Sequence, residues 1–203
     1  MSLIARSTDE GSSLRFDERK TVQAAAKFAR LAGDRINYMK LIKLLYLLDR
    51  SALRRWGRPV TRGEYWELKL GPIVSEVDDL ITEPPSPNED HLWPKFFSAP
   101  SDYLITLTAD PGDDDLSEME DQLIGEINEK FGGYDPFELV DRLHKMLGEV
   151  QGLVAGRRRI TIDEILRAET KIERLEAPRS AEEAQAIERE LDRVHAVEKL
   201  LAI

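Results

Sequence analysis

The sequence predicts a mainly α fold with a small antiparallel β-sheet, an α+β domain wrapped around one buried central helix. Three observations predict it. The run Tyr38–Trp56 places its apolar residues at helical spacing. Short β-prone runs bounded by glycine and proline turns lie at 64–68 and 103–108. Two capping boxes, Ser117 with Glu120 and Thr161 with Glu164, open further helices.

Residues 1–15 show no periodicity and are expected to form a flexible lead-in. From Asp17 to Ala32 the sequence predicts a first helix, with Val22, Ala25, Ala26, Phe28 and Ala29 toward the core and Gly33 as its stop. The central helix follows, with Asn37 as its N-cap and Gly57, just before Pro59, as its end. At about 100° per residue, Leu41, Leu45, Leu48 and Ala52 centre a broad apolar arc. Lys40, Lys43, Arg50, Arg54 and Arg55 take the opposite side, where Leu44 and Leu47 imply that part of that side is covered too. Asp49 breaks the arc near its centre, where an unpaired carboxylate would cost several kcal/mol. It is therefore expected to be a structural anchor tied to a backbone amide, an arginine or a tyrosine hydroxyl. The alternative makes it an acid or base in a pocket.

The stretch GRPVTRGEYWELKLGP predicts a turn, a strand over 64–68 and a second turn at Gly71 and Pro72, with a short helix starting near Ser75. TEPPSPNEDHLWPK is read as a surface excursion that returns as a strand over 103–108, expected to pair with 64–68 in a sheet of two or three strands. DPGDDD supplies a turn, and it lacks the glycine and terminal glutamate of a calcium loop. The helix behind Ser117 carries Leu123, Ile124, Ile127 and Phe131. Asp135 and Pro136 open another, which bears Phe137, Val140, Leu143, His144 and Leu147. Arg157–Arg159, just before the Thr161 cap, is read as a solvated loop rather than a nucleic-acid patch. Beyond Pro178, Ser180 and Glu183 cap a last amphipathic helix with Ala184, Ile187, Leu191, Val194 and Leu201 on one side. The chain thus divides into 1–15, a helical domain over 16–176, and a C-terminal helix over 177–203 that docks on the domain, pairs with a second copy through 180–203, or grips a partner.

The 203 residues suffice for a sizeable core, and the absence of cysteine points to the reducing cytoplasm. No apolar run reaches membrane-spanning length, and the polar start MSLIARSTDEGSS is not read as a secretory signal. The net charge of −10 argues against general nucleic-acid binding. Yet Arg35–Leu70 holds nine Lys or Arg against three acidic residues, a local +6 that leaves −16 for the rest. Such an island folds against the chain's own carboxylates, docks an acidic partner, or touches phosphate. No phosphate-binding loop, dinucleotide turn or nucleophile elbow is present, and His91, His144 and His195 are too scattered for a zinc site. The reading is a non-enzymatic binding protein without cofactor or metal.

The order LIKLLYLLDR, then WGRPVTRGEYWELKLGPIVSEVDDLI, resembles the Panacea domain, whose members include SocA-type antitoxins and phage-associated proteins. Lys40, Leu41, Lys43, Tyr46, Asp49, Arg50, Gly57, Pro59, Gly63, Tyr65, Lys69, Gly71, Pro72 and Glu76 are among the matching positions, and His144-Lys145 matches a later pair. Leu70 departs from the His or Tyr that many members carry before the Gly-Pro. The resemblance implies an antitoxin that neutralises a cognate toxin by direct contact, with SocA-type members delivering the toxin to the ClpXP protease as adaptors. Arg50, Arg54 and Arg58, with the turn carrying Trp66, Lys69, Gly71 and Pro72, are the expected contacts, and Asp49 and His144 the expected anchors. Two alternatives stand beside this. A DNA-contacting regulator needs the basic residues exposed together, and an enzyme using Asp49 and His144 needs a deep polar pocket joining them.

Overall fold

Helix α2 (Tyr38–Trp56) forms the axis of the molecule, and its boundaries follow from local chemistry. Asn37 is extended and its side chain accepts from the Lys40 amide at 3.2 Å, while Gly57 ends the helix at φ +79° with its N–H on the Leu53 carbonyl. Every residue from Leu41 to Leu53 is buried, including the side that carries the basic residues. Neighbouring elements therefore enclose the helix all round, which accounts for Leu44 and Leu47. Each fully buried leucine contributes about 2 kcal/mol from apolar burial.

The computed structural model describes residues 15–83, 90–169, 171–178 and 180–201, with the backbone alone at 173, 181, 191, 194, 195 and 197–201. The lead-in up to residue 14, the 84–89 part of the proline-rich excursion, and the side chains of Leu191, Val194 and Leu201 lie outside the described residues. In chain order the remaining elements are α1 (Glu18–Leu31), β1 (Arg35–Asn37) ahead of α2, then β2 (Tyr65–Leu68), β3 (Gly71–Val74), α3 (Ser75–Thr82) and α4 (Trp93–Phe96). They continue as β4 (Leu104–Thr106), α5 (Glu118–Phe131), α6 (Pro136–Met146), β5 (Arg158–Ile160), α7 (Ile162–Arg167), α8 (Glu173–Glu176) and α9 (Ala181–Leu201). The fold is mainly α with small antiparallel sheets, in line with the sequence. Helices α1, α5, α6, α7, α8 and α9 and strand β3 all pack on α2.

The helix starts sit where their caps place them. The Ser117/Glu120 and Thr161/Glu164 boxes close in both directions, and the Asp135 side chain accepts from the Phe137 amide ahead of Pro136. The strands differ from the sequence expectation in three ways. Residues 104–106 pair with β1 in a two-stranded sheet, not with 64–68. Three residues between the Gly33–Asp34 turn and the Asn37 cap are too few to display an alternation, so β1 left no periodic signal. Gly71–Pro72 begins strand β3 rather than forming a turn, and the turn is Lys69–Leu70. Finally, Arg158–Ile160 is not a loop but the third strand of a sheet ordered β3-β2-β5.

Candidate functional site

Asp49 has no exposed surface. One carboxylate oxygen accepts from the Val60 and Thr61 amides, each at 2.8 Å, and the other from the Thr61 hydroxyl and, at 3.0 Å, the Tyr65 hydroxyl. A single side chain of α2 thereby fixes the loop that leads into β2. Burial pushes the Asp49 carboxyl up to about 6, against the pull of the bonds from Thr61, Tyr65 and Val60.

One residue along, Arg50 is equally buried. It is not on the surface expected for a partner contact, because Glu149 and Glu176, from segments far along the chain, fold over it. Its Nη2 lies 2.9 Å from Glu149 Oε2, its Nε bonds the other Glu149 oxygen, and its Nη1 bonds Glu176. The Tyr46 hydroxyl donates to Glu149 at 2.8 Å. Burial opposes the charge on Arg50, but the two carboxylates outweigh it and raise the guanidinium's pKa. Arg54 is mostly covered as well: its Nη1 donates to the carbonyls of Ile165, Leu166 and Ala168 at 2.7, 3.0 and 2.9 Å, holding the end of α7. Of the expected basic face, Arg58 alone is exposed. Lys43, Arg50 and Arg55, three of the nine cations of the basic island, are buried.

Gly71 and Pro72 are buried where β3 meets α2 and α6. Lys43 donates to the Pro72 carbonyl at 2.8 Å, and burial pushes its amine down to about 7 against the attraction of Asp78. The half-buried His144 ring rests on Gly71, so that a Cβ there would lie 3.4 Å from Nε2, an atom without a hydrogen-bond partner. His144 thus belongs to a contact among α2, α6 and β3, whereas the hydrogen bonds of Asp49 all go to Val60, Thr61 and Tyr65. The two are not joined in one constellation.

The opposite face of the three-stranded sheet is different in character. Trp66 is half-buried, its Nε1 lies 3.3 Å from Glu64, and the Arg157 guanidinium sits 4.7 Å from its ring centre. Arg159 stands opposite Trp66 in the register and reaches Glu64 at 2.9 Å. Lys69 and Leu70 project from the adjoining turn, Leu70 with 42% of its surface exposed. Sequence reasoning missed the residue that organises the loop beside this face. Glu67, fully buried on the inner side of β2, accepts with one oxygen from the amides of Gln151, Gly152 and Leu153 at 2.9, 2.6 and 3.3 Å, and its other oxygen holds Arg158. A signal was there: period two along Tyr65–Leu68 puts Glu67 on the same face as Tyr65, hence inward.

A family described as "Antitoxin SocA-like, Panacea domain" matches residues 41–147, just over half of the chain. No curated protein and no solved structure matches. The matched span contains all of α2 from Leu41 onward, the Asp49 anchorage, β2, β3 and both helices α5 and α6, while Glu149, Glu176 and β5 lie beyond it. Among the described residues no group of His, Asp and Glu side chains is arranged to hold a metal ion, and no helix is long and apolar enough to cross a membrane.

Proposed function

We propose, from the premise that the chain belongs to the SocA-like antitoxin family with its Panacea domain, that it neutralises a cognate toxin by direct protein contact and without catalysis. The role needs a rigid platform and a complementary patch, and the enclosed α2 supplies the platform. One observation carries the choice of patch: the outward sheet face sets a half-exposed Trp66 beneath Arg157, with Lys69 and Leu70 free at its rim. Tryptophan and arginine are the side chains that most often dominate protein interfaces. Lys69, Arg58 and Arg159 suit an acidic partner surface. Delivery of the captured toxin to ClpXP in the cytoplasm is the mode that the SocA-type resemblance implies.

The test is co-expression with the product of the adjacent gene. The parent chain is expected to relieve growth arrest and to co-purify with that product. Trp66→Ala should weaken capture by about thirtyfold, the loss typical of an interface hot spot, while leaving thermal unfolding within a few degrees of the parent. Toxin lifetime measured with and without ClpX separates degradation from masking. If the neighbour is harmless, or if Trp66→Ala binds as the parent does, the proposal fails.

A further inference from the structure

The two edges of the three-stranded sheet are not alike. On the β3 side, Pro72 has no N–H to offer and its carbonyl is taken by Lys43, with α2 and α6 packed alongside. On the β5 side the register turns backbone groups outward, the Arg159 N–H without a partner in the sheet and the Arg159 carbonyl accepting from Arg158 Nη1 at 3.3 Å. The Ser75 N–H bonds the Glu64 carbonyl at 2.8 Å, so Glu64, Trp66 and Leu68 turn their backbone groups to β3, and Tyr65 and Glu67 turn theirs to Ile160 and Arg158 of β5. Arg159, between those two, therefore directs its N–H and C=O away from the sheet.

Beside this edge stand two exposed arginines and an apolar loop tip, with Glu64 and Asp79 as the acids near them, in a chain of net charge −10. Arg157 and Arg159 share the outer face with Trp66, both exposed, and answer only Asp79 and Glu64 nearby. Immediately before β5 the loop Gln151–Gly156 carries Val154 with 87% of its surface exposed. This is not a slack loop at its base, since Glu67 grips three consecutive amides there. An apolar tip held by a buried carboxylate, next to an open strand edge lined by arginines, has the parts of a strand-addition site.

We infer that β5 receives an extended acidic segment of the partner protein as a fourth strand, its main chain pairing with Arg159 and its alternate carboxylates meeting Arg157 and Arg159. The inference rests on the direct-contact reading above and adds the docking mode and the chemistry of the docked segment. Because β5 and its loop lie beyond the family match of 41–147, they are features by which this chain selects its own partner.

The probe is an acetylated and amidated peptide alternating valine and glutamate, titrated into the full chain labelled with nitrogen-15, beside a peptide alternating valine and lysine. The acidic peptide should shift the amides of 151–160 and slow hydrogen exchange at Arg159, and the basic one should do neither. Arg159→Pro, at an edge position where proline is tolerated, removes the outward N–H, and Arg159→Ala separates that loss from loss of the side chain. Proline should weaken binding about fivefold beyond alanine. Arg157→Glu with Arg159→Glu should weaken it about tenfold or more. Equal binding of the two peptides, shifts confined to other surfaces, or self-association of the chain through β5 in place of peptide binding would each overturn the inference. Toxin capture that survives Arg159→Pro unchanged would overturn it while leaving the antitoxin reading intact, whereas failure of the parent to capture any toxin removes that reading even if the peptide binds.

Discussion

Replacing Asp49 by asparagine tests which force governs the anchorage under the Val60–Thr61 loop. Burial raises the carboxyl from an ordinary value of 3.8 to about 6 although four hydrogen bonds reach it. A folded pKa above the unfolded one means that the folded chain holds the proton more tightly. The stability this contributes is complete below pH about 4 and lost as pH rises through about 6. A shift of roughly two units at about 1.4 kcal/mol each amounts to about 3 kcal/mol. Asparagine does not titrate, so the difference in unfolding free energy between parent and Asp49→Asn should shrink by about 3 kcal/mol from pH 4 to pH 7. At pH 7 the amide oxygen still serves the Val60 and Thr61 N–H groups, and the Thr61 and Tyr65 hydroxyls can turn to accept, leaving a cost of about 1 kcal/mol. Asp49→Ala, by contrast, strands four buried donors and should cost about 4 kcal/mol or more. Urea unfolding followed by tryptophan fluorescence at each pH supplies the differences, in which the titration of other carboxylates cancels. A gap that widens with pH would mean that the hydrogen bonds outweigh burial, and the account of Asp49 given above would be refuted.

Three further perturbations address other parts of the framework. Arg50→Ala should destabilise by about 3 to 5 kcal/mol in the same urea assay, since it leaves Glu149 buried without a counter-charge and Glu176 with Arg54 alone, and joint replacement of Arg50 and Glu149 by Met and Leu should recover most of that loss. Glu67→Ala should speed hydrogen exchange at Gln151, Gly152 and Leu153 by more than at α2, with an overall cost of about 2 kcal/mol, and uniform change across both regions would contradict its role as loop anchor. Gly57→Ala meets two obstacles at once, a φ of +79° and a Cβ only 2.7 Å from the Ala186 carbonyl. It should lift α9 from α2, cost about 2 kcal/mol, and expose α9 to limited proteolysis, whereas an unchanged digestion pattern would argue against this seating.

Legibility in the sequence followed the range of the interactions. Caps are local, so Asn37, Ser117, Asp135 and Thr161 could be read directly, and α2 declared itself through nineteen residues of consistent period. Strands of three residues carry no such record, which is why β1 and β5 were invisible and β4 was assigned the wrong partner. The expectation that the basic island folds against the chain's own carboxylates is met, but Arg50 and Arg54 were also expected as outward contacts, for a related reason. Arg50 and Arg54 face away from the apolar arc of α2 and look like a solvated surface, because the glutamates and carbonyls that cover them come from residues 149, 165–168 and 176. Nothing within one helical turn announces a partner a hundred residues away. Arg157–Arg159 erred in the opposite direction: Arg158 is bound by Glu67 and Glu164, while the flanking arginines remain outward, an alternation that three like residues in a row conceal.

Beside the β2–β5 pairing, contacts that run from the family-matched span to the segment that follows it include Arg50 to Glu149 and Glu176, Arg54 to the end of α7, Glu67 to the 151–153 amides, and Gly57 to α9. In each, the matched residue presents a requirement that its own neighbourhood leaves unmet, a buried cation, a buried anion or a bare backbone. The edge of the match at residue 147 is therefore not an edge of the folding unit. Without the later segment, a guanidinium and a carboxylate would stand unpaired in the core, and either is costly enough to outweigh much of a domain's net stability. The Asp49 anchorage, however, closes entirely within 49–65 and does not depend on that segment. Substitutions at Val154, Arg157 and Arg159, on the proposed docking face, are thus expected to leave the anchorage and the Arg50 cluster holding the fold.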